Sequence, residues 1–235
     1  MDLEERFGFL NGCLFIKDAG ICAASDFHIG LEEELLRQGL AFPLQEEQLL
    51  LQRLEAAIKK FRPSVFVLAG DIFHSFSRID KKAAAKVDAV IRLLERQCKI
   101  VMLRGSHDTM LSALPKGNDI LDRYDAGGFT IAHGHAALDK HEDLVLGHEH
   151  PVIQIEMERL PCFLYGRKVV GGKDLIMLPA FNPLCQGVTI NHVESRDFMS
   201  PLLKRVDIGE LAPVVEVQGE VMAFPRMRGL RREID

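Results

Sequence analysis

The chain has 235 residues, 47% of them apolar and 27% charged, with a formal net charge of -5 and no tryptophan. That length suits one large domain with a sizeable core. The acidic balance offers no broad basic face for nucleic acid, and no apolar run approaches the roughly 18–20 residues of a membrane span.

The first residues, Met-Asp-Leu-Glu-Glu-Arg, are acidic and unlike a signal peptide. The five cysteines (Cys13, Cys22, Cys98, Cys162 and Cys185) are odd in number, scattered and without a CxxC pair. They point to buried thiols in a reducing cytoplasm, and against a zinc-thiolate knuckle. The expected organisation is a single domain over 1–235, with peripheral termini at 1–12 and 220–235.

Residues 13–16 and 21–24 read as short strands around the turn Lys17-Asp18-Ala19-Gly20. A short helix is predicted over 31–38, ended by Gly39. The clearest helix covers 44–61. There Leu50, Leu54, Ala57, Ile58 and Phe61 recur at helical spacing, and Arg62-Pro63 stops the pattern. Residues 65–69 are continuously apolar, as in a strand buried on both faces. A second helix is predicted over 80–97, with Val87, Val90, Ile91 and Leu94 inward, and a buried strand over 100–103.

This alternation predicts a parallel core with right-handed crossovers. Beyond residue 128 helical spacing disappears. Short strand-like runs follow one another at 129–132, 143–146, 152–156, 162–165, 175–178 and 214–217, which predicts a second sheet packed on the first. The stretch 226–232 holds four arginines in seven residues and reads as a solvated terminus.

Metal-type residues cluster where these strands stop: Asp26 and His28, Asp71 and His74, His107 and Asp108, His133 and His135, His148 and His150. In an open α/β sheet the strand C-terminal ends line one rim, so segments far apart in sequence converge there. Residues at i and i+2 after a strand can point to one side. Carboxylate and imidazole together suit a first-row divalent ion. One Asp-x-His pair says little, because surface loops contain many. Three pairs plus Asp71, all at strand ends, point to a metal site, and to two ions rather than one.

The order Asp-x-His, Gly-Asp-x-x-His, Gly-Ser-His-Asp, His, Gly-His-x-His resembles the calcineurin-like metallophosphoesterases from Asp26 to His150. Gly147-His148-Glu149-His150-Pro151, Pro161-Cys162-Phe163-Leu164 and Leu178-Pro179-Ala180-Phe181-Asn182-Pro183 are similar, more narrowly, to the small SbcD-related phosphoesterases. The larger relatives of that branch are repair nucleases.

The resemblance implies an α/β protein: a four-layer α/β/β/α sandwich of two mixed sheets face to face with helices outside. It implies a metal-dependent phosphoesterase acting on a diester more than a monoester, with a nucleotide or nucleic-acid end as substrate. Two divalent ions are implied, manganese foremost, with iron, zinc, cobalt or nickel as alternatives. Asp26, His28, Asp71 and His150 would hold the first. Asp71 would bridge to the second, which His133 and His148 would also hold. A hydroxide shared by two ions would be the nucleophile. His107 would be the general acid for the leaving oxygen, and Asp108 would orient it.

The chain departs from the family pattern at Ser106, where an asparagine is expected, so the second site is expected to be weak or water-completed. His74 stands where many members carry a carboxylate and is expected to hydrogen-bond behind the ligands. His135 is expected near the substrate or capping a loop, and His141 and His192 lie outside the motifs. Ser106-His107-Asp108 does not read as a serine-hydrolase triad, because adjacent residues cannot form its relay and no Gly-x-Ser-x-Gly elbow is present. A chain of this length leaves little room for a capping domain, and its charge argues against tight duplex binding. The alternative reading is a degraded site on a protein-binding scaffold, with Ser106 as the first loss. Against it, every other ligand position is filled.

Overall fold

The computed structural model describes residues 3–40, 44–74, 81–108 and 120–234. The start expected at residue 80 for the second long helix lies outside these residues. The described chain opens with one helical turn, α1 (Leu3–Arg6), and then builds a sheet in sequence order. Its strands are β1 (Phe7–Leu10), β2 (Cys13–Ile16), β3 (Ile21–Ala24), β4 (Val65–Leu68), β5 (Lys99–Leu103) and β6 (Ile120–Leu121). The first three form an antiparallel meander, and β3 to β6 are parallel. Parallel neighbours need long crossovers. The first carries α2 (Leu31–Arg37) and α3 (Glu46–Phe61), and the second carries α4 (Lys81–Glu95).

The second sheet runs β13 (Val188–Thr189), β10 (Pro151–Ile155), β11 (Glu158–Val170), β12 (Lys173–Met177), β9 (Asp143–Leu146), β8 (Phe129–Ala132) and β7 (Arg123–Ala126). The strand β14 (Ala212–Val217) pairs with β11 and with β15 (Glu220–Ala223). The pairs β8/β9, β9/β12 and β10/β13 are parallel and the others antiparallel, so both sheets are mixed.

The apolar runs are continuous because each strand of the first sheet feeds two cores. Cys22, Ala24, Phe66, Leu68 and Met102 face Leu50, Leu54 and Ala57 of α3 and Val87, Val90 and Leu94 of α4. The alternate residues Ile21, Ala23, Val67, Val101 and Leu103 face Phe129, Ile131, Val145, Phe163 and Ile176 of the second sheet. Phe9 meets Phe163 edge-on across this interface, with ring centroids 4.8 Å apart. Such pairs contribute about 0.5–1.5 kcal/mol beyond area burial. The result is the α/β fold of two facing mixed sheets.

Several local expectations are corrected. Near the start of the described chain, Phe7 and Phe9 are buried between the sheets. Helical structure does return after residue 128. The Arg-rich segment forms α5 (Met227–Ile234), with Met227 fully buried, Arg226 paired with Glu210, and Arg228 paired with Asp207 and Glu210. Among the described residues the outer cover of the second sheet includes α5 and three single-turn 3-10 helices, whose Leu203 and Ile208 pack on Leu144, Leu164 and Val215. Among the described residues no helix is long and apolar enough to cross a membrane.

Candidate functional site

The loops that leave β3 and β4 are zipped together. Asp26 N donates to Gly70 O at 3.0 Å, His28 N to Asp71 O at 2.9 Å and Ile29 N to Ile72 O at 2.8 Å. Across the sheets, His148 N donates to Asp26 Oδ2 at 2.9 Å. These bonds force sharp turns. Asp26, His28, Asp71, His148 and His150 take φ values of 61°, 40°, 48°, 76° and 47°. Non-glycine residues rarely adopt that left-handed conformation, and it costs on the order of 1–3 kcal/mol at each position. The surrounding pins hold it and aim the side chains at one rim.

Gly105 is required by close approach. A Cβ there would lie 2.0 Å from Asp71 N and 2.2 Å from Asp71 Oδ1.

Asp26 and Asp71 are buried, at 0% and 2% exposure, and imidazoles surround them. His150 Nε2 lies 3.0 Å and His28 Nε2 4.0 Å from Asp26 Oδ1, while His28 Nε2 is 3.8 Å from Asp71 Oδ2. The two nitrogens His28 Nε2 and His150 Nε2 are 3.3 Å apart. His133 Nε2 sits between the carboxylates, 3.1 Å from Asp26 Oδ1 and 3.4 Å from Asp71 Oδ2. Asp26, His28 and Asp71 form one donor set and Asp71, His133 and His148 another, with the donor atoms of each set within 4.8 Å of one another. These spacings fit donors gathered around divalent ions with bonds of about 2.0–2.2 Å. A buried carboxylate pair backed by imidazoles also supplies the donor chemistry such ions prefer.

The electrostatics agree. Burial opposes ionisation of Asp26, but His150 and His133 outweigh it and hold that carboxyl well below its usual range. Asp71 is likewise held down, to about 2, its burial offset by His133. Burial pushes His28 and His148 down to about 4, which keeps their lone pairs free for a ligand. Burial also opposes the charge on His133, yet its bonds to Asp26 and Asp71 push it up to about 10. The carboxylate pair thus draws positive charge, which a bound divalent cation would supply in place of that proton.

His107 joins a further candidate donor group, with His28 and His74. Its Nδ1 lies 2.8 Å from His74 O. A carbonyl only accepts, so Nδ1 carries the hydrogen and Nε2 is turned toward the carboxylates, 3.9 Å from Asp71 Oδ2. Asp108, expected to orient the His107 ring, sits between the two loops of the cluster. Its carboxylate accepts from the backbone N–H groups of Ile72 at 2.9 Å, Phe73 at 3.2 Å and Gly105 at 2.9 Å. It ties the Asp71 and His107 loops to each other, and the His74 carbonyl holds the ring.

His74 therefore meets the cluster through its backbone as well as its ring, which stacks on His107 with centroids 6.0 Å apart. His135 Nδ1 lies 3.0 Å from His133 Nδ1, behind the His133 nitrogen that faces the carboxylates. Ser106 Oγ donates to Asp71.

Three further side chains support the cluster from behind. Asn182 Nδ2 donates to Phe27 O at 2.9 Å and to Glu46 Oε1 at 2.9 Å. Glu46, fully buried, accepts from Gly30 N and pairs with Lys86 at 2.8 Å. Glu149, between the two histidines of its motif, turns away from them and accepts from Met199 N at 3.2 Å and Ser200 N at 2.7 Å. Asn182 lies in a segment already singled out by resemblance. Glu149 lies in another such segment, but for Glu46 the sequence carries no signal, since it looks like a surface acid.

No curated protein sequence matches the chain. A solved structure, that of Pseudomonas putida nuclease MPE, superposes with a TM-score of 0.64 over 93% of this chain and 94% of the other, at 20% identity. That likeness establishes the fold. The family model for calcineurin-like phosphoesterases matches residues 20–172, the span that carries every metal-type residue described above. The chain therefore belongs to the calcineurin-like phosphoesterase family, whose members are metal-dependent phosphoester hydrolases.

Proposed function

We propose that the protein hydrolyses phosphodiesters, in the manner of a nuclease acting on short substrates or strand ends. Asp26, His28, Asp71 and His150 would hold one divalent ion, and Asp71, His133 and His148 a second. The observation that carries this reading is the sharing of Asp71 between two donor sets on one rim. When bound, such ions lower the pKa of water and draw charge from phosphoryl oxygens.

The remaining chemistry belongs to the chain. His107, with Nδ1 committed to His74 O and its side chain 22% exposed, presents Nε2 to an incoming substrate. From Nε2 it would donate a proton to the leaving oxygen, the role of a general acid. Asp108 keeps the two loops in register, so that His107 stays beside the shared carboxylate. His135 supports His133 from behind.

The Pseudomonas neighbour is titled a nuclease, which supports a nucleic-acid diester as substrate. The segments 161–164 and 178–183 support placement beside the SbcD-related phosphoesterases, and the five free thiols support a reducing cytoplasm. The filled donor sets favour an enzyme over a scaffold.

The test is hydrolysis by metal-stripped protein reloaded with manganese or zinc. Bis-p-nitrophenyl phosphate, p-nitrophenyl phosphate and a short single-stranded oligonucleotide are compared. Faster cleavage of the diester and oligonucleotide is expected. A preference for the monoester, or no turnover with any metal, rejects the reading.

A further inference from the structure

The segment 180–188 is pinned to both sides of the proposed centre. Phe181 N donates to Ser25 O at 2.8 Å and Asn182 N to Asp26 O at 3.3 Å. Asn182 Nδ2 reaches Phe27 O at 2.9 Å and His28 O at 3.4 Å. At the other end Val188 N donates to His150 O at 2.9 Å. Gly187, with φ of 65°, passes so close that a Cβ would lie 2.5 Å from His150 O. Between these anchors Leu184 N and Cys185 N close a turn onto Asn182 Oδ1 and Asn182 O, at 3.0 Å and 3.1 Å.

That turn sets Cys185 against two histidines. Its Sγ and a ring nitrogen of each of His28 and His150 lie within 4.8 Å of one another. His28 is only 5% exposed, and its Nδ1 has no hydrogen-bond partner among the described residues. The other cysteines differ. Cys13, Cys22 and Cys162 are buried, and Cys98 joins no such donor group among the described residues. Cys185 also lies beyond residues 20–172, the span that the family model matches.

We propose that Cys185 is a further ligand of the ion held by Asp26, His28, Asp71 and His150, and that its thiolate makes this site favour zinc over manganese. The proposal rests on the ligand assignment given above. On binding, the Sγ–H bond breaks, the proton leaves to solvent and the sulfur lone pair forms the bond to the cation, with no change of oxidation state. A coordinating thiol is deprotonated outright by its metal. Thiolates select zinc, whereas carboxylate, carbonyl and water suit manganese. The backbone pins on Asn182 and Val188 hold the sulfur in place, which lowers the entropy lost when it engages the ion.

The test is cobalt(II) titration of the metal-stripped protein, read by absorption. Ligand-field bands report occupation of the histidine and carboxylate donors, and a near-ultraviolet sulfur-to-cobalt charge-transfer band reports a thiolate. The natural protein is expected to show both. Cys185→Ser and Cys185→Ala are expected to keep the ligand-field bands and lose the charge-transfer band, and Cys98→Ser to keep both. By chelator competition, Cys185→Ser should weaken zinc about 10–100-fold, the usual range for residues that tune a metal site, and leave manganese nearly unchanged.

Should the variants misfold, zinc X-ray absorption on the natural protein decides. A sulfur shell at about 2.3 Å, beside nitrogen and oxygen at about 2.0–2.2 Å, supports the proposal. Its absence overturns the proposal, as does a charge-transfer band that is missing in the natural protein or survives both Cys185 variants. If cobalt does not bind the natural protein at all, the ligand assignment itself falls, and the role of Cys185 with it.

Discussion

Ser106 Oγ lies 3.1 Å from Asp71 Oδ2 and 3.3 Å from Asp71 Oδ1, so its hydroxyl donates to the one carboxylate that both donor sets share. The departure from the family pattern thus has a definite consequence. Where an asparagine amide would offer an oxygen to the second ion, this serine turns its hydrogen toward Asp71.

Unequal metal sites follow. The ion held by Asp26, His28, Asp71 and His150 is expected to survive purification, and the second to be partial. Ser106→Asn should tighten the second site by about 10–100-fold and raise activity at low metal, with little gain at saturation. Calorimetric titration with manganese checks this. Two sites of equal affinity, unmoved by the substitution, would show that the serine is compensated.

Asp71 should be the costliest ligand to lose. It faces His28, His133 and His107 at 3.8 Å, 3.4 Å and 3.9 Å, and it is the carboxylate common to the two proposed ion sites. Asp71→Asn is expected to lower bound metal further than His28→Ala does, measured by elemental analysis after desalting. Retention of two ions per chain in Asp71→Asn would remove the bridging assignment.

His107 should act on chemistry and not on metal. His107→Ala is expected to keep its metal content and melting profile while turnover falls about 10²–10⁴-fold, the usual contribution of a general acid. Loss of metal in proportion to activity would make it a ligand, with His135 the next candidate for proton donor.

Away from the rim, Lys86 neutralises three acids, reaching Glu33 and Glu46 at 2.8 Å and Glu32 at 3.0 Å. Lys86→Met would strand buried carboxylates at a cost of about 3–5 kcal/mol. The cluster also fixes a sign for pH dependence. Burial pushes the Glu32 carboxyl up, but the Lys86 hydrogen bond and the backbone N–H groups of Leu44 and Gln45 outweigh it and hold it below its usual range. A carboxyl lowered in the folded state contributes stability above its unfolded pKa of about 4.3, and that stability is lost as pH falls through the folded value. Stability should therefore fall on acidification below about pH 5, and less steeply in Lys86→Met. Urea melts across that range check it, and parallel curves for the two proteins would contradict it.

Much of the architecture is legible in one dimension. The apolar runs 21–24, 65–69 and 100–103 reveal strands buried on both faces, because one core lies on each side and no polar alternation is needed. The helix α3 shows in its spacing, since Leu50, Leu54 and Ala57 must all face the same sheet. Other elements escape such reading. The strand β1 is four residues with a glycine, and its burial comes from Phe129 and Phe163 far along the chain. In α5 the arginines mask an anchor, Met227, that only the outer face of the second sheet makes apolar.

The candidate site divides along the same line. Carboxylate and imidazole types at strand ends are a local property, so Asp26, His28, Asp71, His107, His133, His148 and His150 can be named from the chain alone. Their conformations and supports cannot. The left-handed turns at Asp26, His28 and Asp71 lie in loops of neighbouring strands that hydrogen-bond to each other, and His148 reaches Asp26 only when the two sheets pack. The His107 ring is fixed by a carbonyl 33 positions away, and His28 is backed by Asn182, 154 positions on. Residue type limits which atoms can bind a cation. Which of them face one point is decided by contacts of long sequence separation, and these exist only in the folded chain.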